Sequence, residues 1–155
     1  MEPGSEMPDV AVVGDGDAAL RLRDLPLPAL VYFYPRDDTP GCTREALDFG
    51  ALAGDFAEAG VSLLGISRDT PASHAKFAAK HGLVVALASD VDGSACEGFG
   101  VWGEKRLYGR SYMGVERATF LFGADGRLAR AWRTVRVPGH AEAVLAEVRT
   151  IARGR

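Results

Sequence analysis

The chain has 155 residues, 25% of them charged and 47% hydrophobic, which is typical of one globular domain. Its net charge of −3 lacks the basic excess of a nucleic-acid-binding protein. No apolar run approaches the roughly 20 residues that span a bilayer, and the start does not resemble a signal peptide. Two cysteines are too few for a disulfide framework. We therefore expect a single cytoplasmic domain over residues 1–155, with reduced thiols and neither a nucleic-acid nor a membrane partner.

The first part of the chain predicts a hairpin. Residues 1–8 are interpreted as a loose leader. Apolar segments at 10–13 and 18–22 enclose an Asp-Gly turn, which tolerates positive φ and predicts two antiparallel strands. The prolines at 26 and 28 then predict a turn, because proline is excluded from central strands.

The next segment predicts a buried strand that leads into a helix. Residues 29–34 form a nearly continuous apolar run, as expected of a strand buried on both faces. Thr39 followed by Pro40 is typical of an N-cap and a first helical residue. Apolar residues then recur every three or four positions up to residue 56, and Gly60 ends the helix.

The rest of the chain continues the alternation of strands and helices. Strands are predicted at 61–66 and 83–88, a helix opens at Thr70-Pro71, and a short helix holds Cys96. Residues 100–114 are interpreted as a loop. An Asp-Gly turn between 117–122 and 128–133 predicts a second hairpin, and a last helix opens after residues 137–139. A strand, helix and strand in succession favour parallel pairing, so the class is α/β.

Cys42 lies where a thiol is expected to be reactive. Counting from Pro40 places it in the first turn of the helix. A thiol there faces unpaired backbone N–H groups and the positive end of the helix dipole. Both favour the thiolate, which is the nucleophilic form. The alternative, a buried small hydrophobic residue, is the usual state of a free cysteine.

The surrounding residues resemble a known family. Pro35, Thr39 and Cys42 fit the spacing Pro-x-x-x-Thr-x-x-Cys, the active-site signature of peroxiredoxins. The string FYPRDDTPGCT at 33–43 and the string GVERATFL at 114–121 resemble the bacterioferritin-comigratory (PrxQ) branch, and the similarity runs from about residue 8 to 151. It implies a thioredoxin-like fold with peroxiredoxin insertions, in which an N-terminal hairpin precedes a central mixed sheet flanked by helices.

The resemblance also implies an activity and a catalytic group. Cys42 is expected to be the peroxidatic cysteine of a thiol-dependent peroxidase acting on hydrogen peroxide and organic hydroperoxides. Its thiolate would attack the peroxide and become a sulfenic acid. Thr39 could reach the sulfur or the peroxide with its hydroxyl, besides capping the helix. Backbone N–H groups at Gly41 and Cys42 are candidate donors, and Pro35 is expected to shape and shield the pocket or simply to end the strand.

The site also needs a cation. Arg36, Arg44, Arg68 and Arg117 are candidates, and Arg117 matches the arginine at that place in the family. We expect Arg117 to stabilise the thiolate and orient the peroxide, since its planar fork suits this better than lysine does. Glu45, one helical turn past Cys42, could brace that arginine or merely complement the helix dipole.

The sequence says less about how the oxidised Cys42 would be reduced again. Many relatives carry a resolving cysteine five residues after the peroxidatic one, where this chain has Leu47. Cys96 is a possible resolving cysteine or a core thiol packed beside Phe99. A disulfide would require Cα atoms within roughly 7 Å, so local unfolding of the Cys42 helix is expected for it. The other cycle uses Cys42 alone, reduced by an external thioredoxin- or glutaredoxin-like donor.

Other site classes receive little support. His74 and His81 are about 10.5 Å apart along a helix, too far to share a metal ion, and no zinc spacing occurs. Asp37 and Asp38 are interpreted as solvated turn acids. We expect no metal, no cofactor and a monomer.

Two other functions are alternatives to the peroxidase. One is a cysteine hydrolase or acyltransferase, which needs a histidine beside Cys42. The other is a non-catalytic thioredoxin-fold binding module with an unreactive thiol.

Overall fold

The computed structural model describes residues 1–153, which form a seven-stranded mixed sheet, a separate two-stranded hairpin and five α-helices. The strands are β1 Ala11–Val13, β2 Ala19–Arg21, β3 Ala29–Phe33, β4 Ser62–Ser67, β5 Ala86–Ser89, β6 Trp102–Leu107, β7 Arg110–Val115, β8 Ala118–Phe122 and β9 Leu128–Trp132. The helices are α1 Pro40–Ala51, α2 Ala53–Glu58, α3 Pro71–His81, α4 Ser94–Gly98 and α5 His140–Arg153. Among these helices none is long and apolar enough to cross a membrane.

The large sheet is built around β3. Its strand order is β2-β1-β5-β4-β3-β8-β9, with β3, β4 and β5 parallel and β8 antiparallel to β3. All five residues of β3 are buried, which is why its sequence is a continuous apolar run. The predicted mixed sheet, the N-terminal hairpin and the second Asp-Gly hairpin are confirmed.

Alternate residues of β3 serve two separate hydrophobic cores. Leu30 and Tyr32 pack with residues of α1, α2, α3 and α5 on one face of the sheet. Val31 and Phe33 pack on the other face with α4 and the segments around it. Successive side chains of a strand point to opposite faces, so the sheet itself divides the two cores.

The prediction of a loop over residues 100–114 is wrong. The segment folds as the antiparallel pair β6 and β7, which meet at a turn where Tyr108 and Gly109 both have positive φ. A tight hairpin turn needs that conformation, and Asn-Gly or Asp-Gly is its usual sequence signal. Tyrosine in the left-handed region is uncommon, so the turn carried no recognisable signal.

Two further boundaries differ from the expectation. The leader is not loose, because Glu6 bridges to Arg127 beside β9 and Met7 is buried. The helix that follows Cys42 is interrupted at Leu52, where ψ is 6°, and resumes as α2. The apolar stripe continues across the break, so periodicity alone could not detect it.

Candidate active site

The start of α1 presents Cys42 as the sequence predicts. Thr39 is the N-cap residue with extended φ/ψ, Pro40 is the first helical residue, and Cys42 lies in the first turn. Its side chain is buried, and the residue is 2% exposed. The buried thiol therefore lies at the helix end that carries free backbone N–H groups and the positive end of the dipole.

Arg117 reaches this turn from the sheet. It directly precedes β8, where Thr119 and Leu121 alternate with residues of the opposite core, so Arg117 projects toward α1. Its Nη2 donates to Cys42 Sγ at 3.4 Å, and its Nη1 donates to Glu45 Oε1 at 2.7 Å. One guanidinium fork thus holds the sulfur and a carboxylate together, as only arginine can do.

Gly41 leaves room for this contact. A Cβ atom at Gly41 would lie 3.2 Å from Arg117 Nη2, closer than most side-chain contacts allow. The glycine in the motif therefore serves the approach of the guanidinium, in addition to any donor role of its backbone. Sequence reasoning proposed only the donor role.

Glu45 is the buried partner of the cation. Its side chain is 2% exposed, and Oε2 has no hydrogen-bond partner within the described residues. Burial raises the pKa of Glu45 to about 7, although Arg117 favours the carboxylate. Burial also acts to lower the pKa of Arg117, but Glu45 and Cys42 outweigh it and raise that pKa. The guanidinium beside the sulfur is therefore permanently charged.

Thr39 uses its hydroxyl differently from the expected cap. Its side chain makes no capping bond to the helix, and its Oγ1 donates to the Arg36 carbonyl at 2.9 Å. The expectation of a side-chain cap is wrong, while the N-cap position is correct. Because the hydroxyl hydrogen is committed to a carbonyl, the oxygen keeps lone pairs to accept another hydrogen bond. Pro35, which is half-buried, follows the end of β3 at the entrance to this turn.

The turn contains a buried polar group that sequence reasoning missed. Asp37 was expected in solvent but is 8% exposed, and its carboxylate accepts hydrogen bonds from Tyr34 and Ser73 and faces His74. The neighbouring Asp38 is exposed, as expected. His74 and His81 lie two turns apart on α3 and face these two consecutive acids, a pairing that the sequence alone did not signal. Lys105 of β6, which sequence reasoning also missed, is half-buried. Burial and the charge of Arg117 lower the pKa of its ammonium group.

Cys96 is not brought to the site. It is fully buried in the core on the opposite face of the sheet from Cys42, and both thiols are free. Burial and the carboxylate of Asp90 raise the pKa of the Cys96 thiol well above its ordinary value. The structure therefore supports the interpretation of Cys96 as an inert core thiol rather than a resolving cysteine.

His140 borders the site without contacting the sulfur. Its ring packs edge-on against Phe49 and Trp132, and Nε2 lies 2.8 Å from Thr119 Oγ1. Burial, aided by the charge of Arg117, lowers the pKa of His140 to about 4. The imidazole is therefore neutral in the folded protein near neutral pH.

This buried histidine predicts an acid-dependent loss of stability. The unfolded chain binds a proton at His140 below about pH 6.5, whereas the folded protein resists it until about pH 4, so stability falls as the pH falls between these values. Relative to His140→Gln, the wild-type protein should lose up to about 3 kcal/mol of unfolding free energy over this window. Urea unfolding at pH 7 and pH 4.5 measures this, and parallel losses in both proteins would contradict it.

The arrangement of a buried thiol, a helix start and a guanidinium on a thioredoxin-like sheet defines the class of thiol peroxidases. The AhpC/TSA family model matches residues 3–131. Peroxiredoxin Bcp of Xanthomonas campestris pv. campestris is 49% identical over 124 residues, which cover 80% of this chain and 78% of that protein. Peroxiredoxin Bcp of Bacillus subtilis is 42% identical over 141 residues, covering 90% of each.

Solved structures agree with these sequence similarities. A structure of the X. campestris bacterioferritin comigratory protein, with 42% identity, superimposes with a TM-score of 0.89 and covers 97% of this chain and 99% of that one. A mutant PrxQ from Xylella fastidiosa gives a TM-score of 0.91 at 38% identity, covering 98% of each chain. The chain belongs to the AhpC/TSA family, in its Bcp or PrxQ branch of peroxiredoxins. It is a peroxidase that consumes a hydroperoxide and a thiol reductant.

Proposed function

We propose that Cys42 is the peroxidatic residue and that Arg117, Thr39, Gly41 and Pro35 build its peroxide site. The observation that carries this assignment is the 3.4 Å contact between Arg117 Nη2 and the sulfur at the start of α1. A fixed cation and the unpaired N–H groups of a helix together stabilise the thiolate. Glu45 holds the other arm of the guanidinium and so fixes its direction.

This geometry supports the following reaction. The thiolate sulfur attacks the terminal oxygen of the hydroperoxide, so that an S–O bond forms while the O–O bond breaks. The sulfur is oxidised to a sulfenic acid, and the other peroxide oxygen leaves as an alkoxide or hydroxide that takes a proton from solvent. Arg117 and the N–H groups of Gly41 and Cys42 donate to the oxygens as negative charge develops on them. The Thr39 oxygen accepts the hydrogen of the peroxide and orients it.

Hydrogen peroxide and organic hydroperoxides are the proposed substrates. Support for the organic class comes from the X. campestris relative, a protein described as having alkyl peroxide reduction activity. The site is compatible with both, because the attacked O–OH group is common to them. Competition between the two oxidants for the same Cys42 is therefore expected.

We also propose that the sulfenic acid is reduced by an external thioredoxin- or glutaredoxin-like thiol, with the protein acting as a monomer. The position of the usual resolving cysteine holds Leu47, and Cys96 lies across the sheet. Cys42 is 2% exposed, so a protein thiol reaches it only after the first turn of α1 opens. The external donor forms a mixed disulfide with Cys42 and then resolves it with a second thiol.

One equivalent of peroxide is expected to modify Cys42 alone. Mass spectrometry of the reduced protein should then find a sulfenic acid at Cys42 and no bond between Cys42 and Cys96. Cys96→Ser should retain peroxide turnover with an external thiol, because its side chain takes no part in the cycle. A 42–96 disulfide would overturn the one-cysteine cycle, and an unmodified Cys42 would overturn the proposed function.

The hydrolase alternative lacks its base in this structure. Cys42 contacts a guanidinium, while the histidines are engaged elsewhere: His74 with Asp37, His81 with Asp38 and His140 with Thr119. A cysteine acyltransferase activates its nucleophile through a neighbouring imidazole. A permanently charged arginine cannot accept the proton that such a reaction requires.

A further inference from the structure

Asp37 is a buried carboxylate outside the peroxide site proper, and three side chains contact its oxygens. Its side chain is 4% exposed. Oδ1 accepts from the Tyr34 hydroxyl at 2.7 Å, and Oδ2 lies 2.7 Å from both Ser73 Oγ and His74 Nδ1. Its backbone N–H donates to Asp69 Oδ2 at 2.9 Å. The turn before α1 is thereby fixed to the start of α3.

The hydrogen-bond partners of His74 hold its ring in one orientation. Nε2 lies 3.0 Å from the Ala88 carbonyl, so both ring nitrogens face a group that accepts hydrogen bonds. Burial acts to raise the pKa of Asp37, but the hydrogen bonds from His74, Tyr34 and Ser73 outweigh it and lower that pKa. Asp37 is therefore a carboxylate, and Nδ1 donates to it. Asp37 and His74 thus form a buried hydrogen-bonded pair that joins the turn to α3.

Asp37 follows directly after the carbonyl group that binds the Thr39 hydroxyl. Thr39 Oγ1 donates to the carbonyl of Arg36, the residue before Asp37. Between them Asp38 adopts φ 59°, so the turn doubles back on itself. The carbonyl that orients the Thr39 hydroxyl is thus held in place by the anchored Asp37.

We propose that Asp37 and His74 are positioning residues for Thr39. They hold the Thr39 hydroxyl in the orientation in which its oxygen can accept a hydrogen bond from the hydroperoxide. The inference rests on the proposed role of Cys42 and Thr39. The contacts of the pair do not include the sulfur, whose neighbouring cation is Arg117. Loss of the pair should therefore misplace the peroxide and leave the thiolate stabilised.

Asp37→Asn tests this inference against Asp38→Asn as a matched control. Asp38 makes only exposed ion pairs, with Lys80 and His81, and asparagine tolerates its positive φ. We expect Asp37→Asn to slow Cys42 oxidation by peroxide about 10- to 100-fold, because misplacement of a reacting group carries a cost of that order. The rate of Cys42 alkylation by iodoacetamide should stay the same, since Arg117 still contacts the sulfur. Asp38→Asn should leave both rates near the wild-type values.

A double-mutant cycle with Thr39→Val identifies the route of the effect. If Asp37 acts through Thr39, then Asp37→Asn has little further effect in the Thr39→Val background. Equal effects in both backgrounds, or parallel losses of oxidation and alkylation, would overturn the inference. Should the wild-type Cys42 itself fail to react with peroxide, the proposed function fails instead.

His74 provides a second pair of variants should Asp37→Asn fold poorly. His74→Asn keeps a donor at the place of Nδ1, whereas His74→Leu removes both donors. The oxidation rate is expected to fall in the leucine variant and to be largely retained in the asparagine variant. Equal rates in the two folded variants would contradict a positioning role for the bond to Asp37.

Discussion

Replacement of Cys42 by serine is expected to abolish hydroperoxide consumption while the fold is retained. A serine hydroxyl is nearly the size of a thiol but does not ionise near neutral pH, so the nucleophile is lost. The backbone of α1 and the N-cap at Thr39 do not depend on the sulfur. Peroxide consumption with an external dithiol measures the loss, and circular dichroism with thermal unfolding verifies the fold.

Cys96→Ser is the matched control for this substitution. It changes the other buried thiol, in the core on the far face of the sheet, and should keep peroxide consumption near the wild-type rate. Turnover that persists in Cys42→Ser and disappears in Cys96→Ser would reverse the assignment of the two thiols.

Arg117→Ala is expected to lower the rate constant of Cys42 oxidation by about 10²- to 10³-fold, the usual loss for a preorganised donor at a developing charge. Two effects combine, because both the thiolate and the peroxide oxygens lose the cation. Arg117→Lys restores the charge but cannot contact Cys42 and Glu45 simultaneously, so its rate should lie between those of alanine and wild type. Stopped-flow measurement of a single oxidation separates this step from reduction by the thiol.

Arg44→Ala is the appropriate comparison for the arginine variants. Arg44 follows Cys42 by two residues on α1, but its side chain is exposed and pairs only with Asp48. Such a pair contributes little, so oxidation and stability should remain near wild type. A loss as large as that of Arg117→Ala would show that net positive charge, rather than the contact with sulfur, controls the rate.

The local part of the site was predictable from the sequence. Thr39-Pro40 specified where α1 begins, and counting from there placed Cys42 in the first turn. Arg117 was singled out because it precedes an apolar strand and matches the arginine of the family motif. The contact between Arg117 and Glu45 could also be suggested, because Glu45 follows Cys42 by one helical turn.

The non-local part was not predictable. The bond between Asp37 and His74 joins residues 37 positions apart, and neither residue type signals burial by itself. Adjacent acids in a turn are usually solvated, and only the tertiary packing of α3 against the turn shows that one of them is not. The β6–β7 hairpin was missed because a tyrosine occupies a conformation that glycine or asparagine normally adopts.

Because the two thiols lie on opposite faces of the sheet, Cys42 has no second cysteine beside it when peroxide is in excess. A peroxiredoxin with a nearby second cysteine protects its oxidised sulfur at once by closing a disulfide. In the one-cysteine cycle proposed above, the lifetime of that intermediate depends on the supply of a second molecule. When oxidant arrives faster than reductant, we therefore expect a further equivalent of peroxide to convert Cys42 to the sulfinic acid and to inactivate the protein.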